Sequence, residues 1–405
     1  MANNGLSLRS LRGWHVRSIQ ASEAYKACIG PDGLVGGLDT AQACTSAALE
    51  LLWSEKQGNG WDHPAWREVY VICQLCSALC RAAGEEPSSS EAMRSLDMAL
   101  IMGAPYEVVE PFMEVVEPLA RPLAEPEAEE EDKGGRLIPA DFDRRGCLYA
   151  LSEETAIPRV ATGDIDEALF RKQYWKADQP VIITGAMQDW EALERWRDLK
   201  WWSTAHGHRS LPLEVGSSGD RDWHESVATM QDFVGEYLRP SNRDGPGCEV
   251  AYMAQHTLLD QIPSLRDAVV EPGLCCACSP NGVMMSNVWM GTCGTKTPLH
   301  FDSYDNILCQ VAGFKYVRLY SKRETPHLYV DKGDGTFANQ QAYTRKQANI
   351  SQVDVSEPDL NRFPDFAGAL FTDAILSPGE MLFIPSRYWH FVQSLTTAVS
   401  VNFWF

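Results

Sequence analysis

The chain has no excess of positive charge: its 405 residues carry 35 Lys and Arg against 55 Asp and Glu, a formal charge of −20. Such a surface repels a phosphate backbone, which argues against electrostatic nucleic-acid binding and suits a basic partner. The chain also lacks any apolar run approaching the roughly 20 residues of a membrane span. Its N-terminal Met-Ala-Asn-Asn-Gly lacks the unbroken apolar stretch of a signal peptide. The expectation is a soluble intracellular protein with no membrane association, whose 12 cysteines are reduced thiols.

What is present is the composition of a packed protein, 44% hydrophobic and 10% aromatic. The length suits one large catalytic domain and a smaller one. Residues 1–120 read as helical. AWREVYVICQLCSALCRAAG repeats apolar residues every three to four positions, GEEPSSSE breaks the pattern, and AMRSLDMALIMG resumes it, which predicts an antiparallel helix pair. Its Trp, Tyr, Ala and Gly spacing resembles a single tetratricopeptide-like unit, and the modest reading is an interaction domain. Cys73, Cys76 and Cys80 share the helical spacing and pack as small hydrophobes. Residues 121–136, RPLAEPEAEEEDKGGR, form an acidic linker with almost nothing to bury, and 137–405 form the catalytic domain.

After the linker the period shortens. PVIITG, LPLEVG, EVAYMAQ, SNVWMG, NILCQVAG, KYVRLYS, EMLFIP, HFVQSL and AVSVNFWF are short β segments separated by Gly, Pro and Asp turns, with Trp-rich helices near residues 190–205. The fold expected is α+β, a C-terminal double-stranded β-helix of the cupin or jelly-roll kind with an N-terminal helical domain. Cys275, Cys276 and Cys278 sit in a loop-like EPGLCCACSPNG, with no His or second CxxC nearby to complete a zinc set.

One spacing carries chemistry. In His300-Phe301-Asp302 two ligand-type side chains lie two residues apart, and on a strand that spacing points both to one face. His390, in IPSRYWHFV at the start of a later strand, supplies a third ligand. Two imidazoles and a carboxylate form the facial triad of non-haem iron oxygenases, with the remaining metal positions open.

The ordered set TPLHFD, DNILCQVAGFKYVRLY, LSPGEMLFIPSRYWHFV and SVNFWF, covering the chain from about residue 140 onward, resembles the JmjC family of Fe(II)- and 2-oxoglutarate-dependent oxygenases. Within it PLEVG, YMAQHTLLDQIP, SQVDVSEPDLNRFPDF and the helical LDMALIMG are similar to the lysine-specific demethylase 8 subfamily, its plant members especially. The resemblance implies iron on His300, Asp302 and His390. It implies 2-oxoglutarate held by Tyr252, Thr297, Asn306, Lys315 and Trp404, and a substrate side lined by Glu214, Gln255 and Trp289, an acid and an aromatic wall suited to a cationic side chain.

The expected reaction consumes O2 and 2-oxoglutarate to hydroxylate a basic protein or peptide, such as a histone tail or a ribosomal or chromatin protein. The outcome is lysine demethylation or a stable hydroxyarginine, in transcription regulation, in the nucleus and also the cytoplasm. Two other classes fit a cupin: a scaffold that has lost catalysis, against which all three ligands and Lys315 stand, and a metal-dependent sugar isomerase, which predicts no 2-oxoglutarate binding. The chain departs from the subfamily at Ser303, where relatives commonly have Pro, at Asn402, where a small residue is common, and in a longer loop at 330–349.

Overall fold

The computed structural model describes residues 38–55, 64–83, 88–117, 137–143, 149, 151–216, 223–239, 249–330 and 349–405. The acidic linker 121–136 and residues 331–348 of the long loop lie outside the described residues. The chain divides into two compact units: Met1–Glu129 with Ser203–Leu211 and Val227–Asp232, and Glu130–Trp202 with Pro212–Ser226 and Phe233–Phe405.

The first unit holds α1 (Leu38–Glu55), α2 (Pro64–Ala83), α3 (Ser89–Ile101) and α4 (Tyr106–Val116). Sequence periodicity gave only α2 and α3. Pro111 lies inside α4 and disguises it, and α1 is rich in Ala, Ser and Thr, so its apolar face is faint. Val71, Leu75 and Ala78 of α2 repeat at helical spacing and meet Met93 and Leu96 of α3 and Phe112 of α4 in one core. Cys80 is buried, and Cys73 and Cys76 are partly so. Within the same unit Asp97 of α3 accepts from Arg209 Nη2 at 2.7 Å, Arg209 Nε at 3.0 Å and the Ser210 backbone N–H at 2.9 Å. Both side chains are essentially fully buried.

The strands are β1 (Arg159–Ala161), β2 (Val181–Thr184), β3 (Ser210–Val215), β4 (His224–Thr229), β5 (Ala251–His256), β6 (Met285–Gly291), β7 (Lys296–His300), β8 (Asn306–Ala312), β9 (Lys315–Tyr320), β10 (Phe371–Leu376), β11 (Glu380–Ile384), β12 (Trp389–Ser394) and β13 (Ala398–Trp404), all but parts of β3 and β4 in the second unit. They form a nine-stranded sheet, ordered β1-β2-β11-β8-β13-β6-β5-β3-β4, and a four-stranded sheet, ordered β10-β9-β12-β7. Two sheets enclosing one core are the expected β-helix layers, and the Trp-rich stretch forms α5 (Ala192–Arg195) and α6 (Leu199–Ala205). The EPGLCCACSPNG segment is not a loop: Gly273–Cys278 is a helix, α7, burying Cys275 and Cys278 against the fold and exposing Cys276.

Alternation on β9 and β12 decides which groups face inward. Val317, Leu319 and Val392 join Leu308, Leu382 and Ile384 of the large sheet in the core between the sheets. Tyr316, Tyr320, Trp389 and Phe391 pack into a second core on the other face of the small sheet. With a period of two, Lys315 and His390 therefore share the face that looks into the barrel.

Candidate metal centre

His300 and His390 stand opposite one another where β7 pairs with β12, their ring centroids 4.1 Å apart. The strand ends at His300, so Asp302 is not on the strand as the spacing suggested but in the extended segment just past it. That segment is fastened at several points. The Asp302 carbonyl accepts from Arg387 N–H at 2.7 Å. Asp305 accepts from Ser386 N–H at 2.7 Å and from Trp175 Nε1 at 2.8 Å. Arg387 adopts a left-handed φ of 60°, a strained conformation for a residue with a β-carbon.

One ligand atom from each of His300, Asp302 and His390 lies within 4.8 Å of the others, and no other such cluster occurs among the described residues. His300 Nε2 is 3.6 Å and His390 Nε2 is 3.7 Å from the Asp302 carboxylate. Each imidazole places Nδ1 on a backbone carbonyl: His300 donates to Pro298 O at 2.8 Å and His390 to Tyr388 O at 3.0 Å. Those bonds fix the tautomer with Nε2 unprotonated and turned to the shared centre, which is how metal-binding histidines are held. Burial, and then the neighbouring His390 ring, push His300 below the ordinary imidazole range. A neutral imidazole is the form that ligates, so the donor set fits a divalent metal of the iron type.

Deeper in the barrel Lys315 is buried, with its Nζ 3.5 Å from the hydroxyl of Tyr252. Desolvation lowers its pKa from 10.5 to about 7. No carboxylate pairs with it among the described residues. Tyr252 is hydrogen-bonded to Thr297, and burial pushes its hydroxyl well above the usual phenol value. Lys315, Tyr252 and Thr297 thus converge from β9, β5 and β7, three donors facing the same interior.

Between that end and the metal cluster lies a ladder of amides. Trp289 Nε1 donates to Asn402 Oδ1 at 2.7 Å, and Asn402 Nδ2 donates to Asn306 Oδ1 at 3.2 Å. Trp404 pairs with Asn306 across the strands, and its buried indole N–H has no partner among the described residues. Trp289 lies 5.9 Å from the Tyr252 ring. Glu214 is opposite Tyr252 on β3, half-buried, its carboxyl raised by desolvation and then by Glu225. Gln255 stands apart: it is exposed, at a left-handed φ of 43° where the β5–β6 register shifts. Asn402, the centre of the ladder, was seen in the sequence only as a departure from relatives. Its inward face on β13 was the signal available, since a buried strand seldom spends a position on an unpaired amide.

Residues 167–405 match the model of the cupin-like domain family. Over most of its length the chain is similar to lysine-specific demethylase JMJ30 of Arabidopsis thaliana, 34% identical across 90% of this chain and 86% of the relative. Lysine-specific demethylase 8 of Xenopus tropicalis is 30% identical across 91% and 89%, and JmjC domain-containing protein F of Dictyostelium discoideum 30% across 88% and 86%. With the two-sheet barrel and the His-Asp-His centre, these matches make the chain a member of the cupin-like JmjC family of 2-oxoglutarate-dependent oxygenases.

Proposed function

We propose that the chain binds Fe(II) through His300, Asp302 and His390, binds 2-oxoglutarate in the adjoining interior, and oxidises a cationic lysine or arginine side chain of a basic protein. The observation that carries this reading is a buried lysine that no carboxylate among the described residues pairs with, lying deeper in the barrel than a three-ligand centre. A buried cation is costly unless it is paired, so this end of the cavity is built for an anion. A dicarboxylate that also reaches the metal has the right chemistry.

In this reading Nε2 of each histidine and one Asp302 oxygen hold the metal. Bound iron together with 2-oxoglutarate supplies the oxidising power, as is general for cofactor chemistry. The remaining work belongs to the chain. Lys315 receives the distal carboxylate, assisted by the hydroxyls of Tyr252 and Thr297, while Asn306 orients the end nearest the metal and Trp404 closes the wall beside it. Glu214 offers charge to the substrate cation and Trp289 a ring face. The inward apolar residues exclude water and keep the target C–H as the nearest oxidisable group.

The relatives named lysine-specific demethylases support demethylation, in which hydroxylation of an N-methyl carbon releases formaldehyde. An arginyl or other side-chain hydroxylase uses the same pocket and retains the oxygen. The acidic net charge supports a basic, chromatin-type partner and a nuclear setting. Mass spectrometry of methylated and unmethylated basic peptides incubated with the protein, Fe(II), 2-oxoglutarate and O2 separates the outcomes: loss of a methyl group or gain of an oxygen. Succinate formation that neither metal chelation nor His300→Ala abolishes refutes the reading.

A further inference from the structure

Among the described residues ten large apolar side chains are exposed, and three of them belong to segments that meet at Trp404. Met284 is 56% exposed, Met285 44% and Tyr304 46%. All three are tied to Trp404, Met284 and Met285 through the backbone and Tyr304 through its ring. The Met284 N–H donates to the Trp404 carbonyl at 2.7 Å, Met285 is opposite Trp404 in the β6–β13 pairing, and the Tyr304 ring stacks on the Trp404 ring at 6.2 Å with 26° between planes. The patch is continuous with the metal centre. Tyr304 follows Asp302 by two residues, about 7 Å of chain, and Trp404 pairs with Asn306 at the end of the amide ladder.

Exposing two methionines and a tyrosine together costs solubility, and such patches mark binding surfaces. Methionine suits one that must fit more than one shape, being unbranched and polarizable. The geometry points to a shelf for the substrate itself. We propose that Met284, Met285 and Tyr304 are specificity-determining residues that receive an apolar side chain one or two positions from the oxidised residue of a basic peptide, so that charge selects the target and this shelf selects its neighbour. The proposal rests on the peptide-oxidation reading above. It adds a sequence preference that neither the metal centre nor Glu214 can impose.

The test uses the full chain and capped pentapeptides with a central arginine, lysine or methyl-lysine, flanked by either Leu or Ser. Two quantities are measured: peptide affinity by calorimetry without oxygen, with Mn(II) in place of iron, and the half-saturating peptide concentration in oxidation. The expected result is that Leu-flanked peptides bind about tenfold more tightly than Ser-flanked ones. Tyr304→Ser and the Met284→Ser/Met285→Ser pair should each shrink that ratio towards one without weakening Ser-flanked peptides, which a misfolded variant would do. Equal binding of both flanks, or a preference that survives in the variants, overturns the shelf alone. If no peptide of either kind binds, the peptide-oxidation reading falls and the shelf with it.

Discussion

Replacing Lys315 with methionine should weaken the protein's hold on 2-oxoglutarate while strengthening the fold. The side chains have similar length, and Met suits the buried surroundings of a residue only 2% exposed. A pKa lowered from 10.5 to about 7 means that burial disfavours the charged form by about 5 kcal/mol. The folded pKa lies below the unfolded one. Between pH 7 and 10.5 the unfolded chain therefore holds the extra proton, and stability from this group rises with pH across that window. Below pH 7 both states are protonated and the penalty is complete. Lys315→Met removes it, so the variant should be more stable than the parent by several kcal/mol at pH 6, a difference that fades by pH 10.5. Binding moves the other way. Truncating one partner of a buried charge pair costs about 2–5 kcal/mol, so the dissociation constant for 2-oxoglutarate should rise at least about thirtyfold. In the parent, binding should weaken as pH climbs above about 7, because the anion then requires uptake of a proton. Denaturant titration at pH 6 and 9 measures the first effect, and anaerobic calorimetry with Mn(II) across the same range the second. A variant that binds within about threefold of the parent, or is less stable at pH 6, refutes the assignment of Lys315 as a preformed anion site.

Three further expectations follow from named contacts. His300→Ala should abolish tight metal binding and 2-oxoglutarate turnover and leave the circular dichroism spectrum unchanged; turnover above one per cent of the parent would count against the triad. Gly291→Ala places a methyl carbon 2.6 Å from Tyr252 Cδ2 and 3.0 Å from the Ala251 carbonyl, so the Tyr252 ring must shift. The half-saturating 2-oxoglutarate concentration should rise about tenfold or more, and an unchanged value would remove Tyr252 from the binding set. Asp97→Ala takes from the buried Arg209 guanidinium the carboxylate that accepts from its Nε and Nη2, the half-exposed Glu117 carboxylate standing at 3.5 Å, and should cost about 3–5 kcal/mol. The double change Asp97→Leu/Arg209→Met should recover most of that loss in urea titrations, whereas no recovery would show that the hydrogen bond to Ser210 N–H dominates.

Some of this protein was legible in residue order, and the division has a physical basis. Nine strands were readable from apolar runs, and the four that were not, β1, β4, β7 and β10, are the four outer strands of the two sheets. An inner strand covered on both faces is mostly apolar, as in NILCQVA, where every residue is buried and five of the seven are apolar. An edge strand is free to carry the proline of KTPLH, and FTDAIL carries a buried aspartate that accepts from Tyr316 and Thr155, so both lose the signature. β7 entered the sequence reading only through the spacing of its ligands.

By itself the sequence determined the acidic charge, the helical and β-rich halves and the close pairing of His300 with Asp302, since these depend on composition, period and short spacing. Tertiary structure alone decided the rest. Strand register set His390 against His300, and backbone carbonyls at Pro298 and Tyr388 chose the tautomer. The closure of one sheet over the other buried Lys315 beside Tyr252, some sixty residues away in the chain, and drew Asn402 into contact with Trp289 and Asn306. Hydrogen bonds and desolvation act over a few ångströms in space, and distance along the chain carries no record of them.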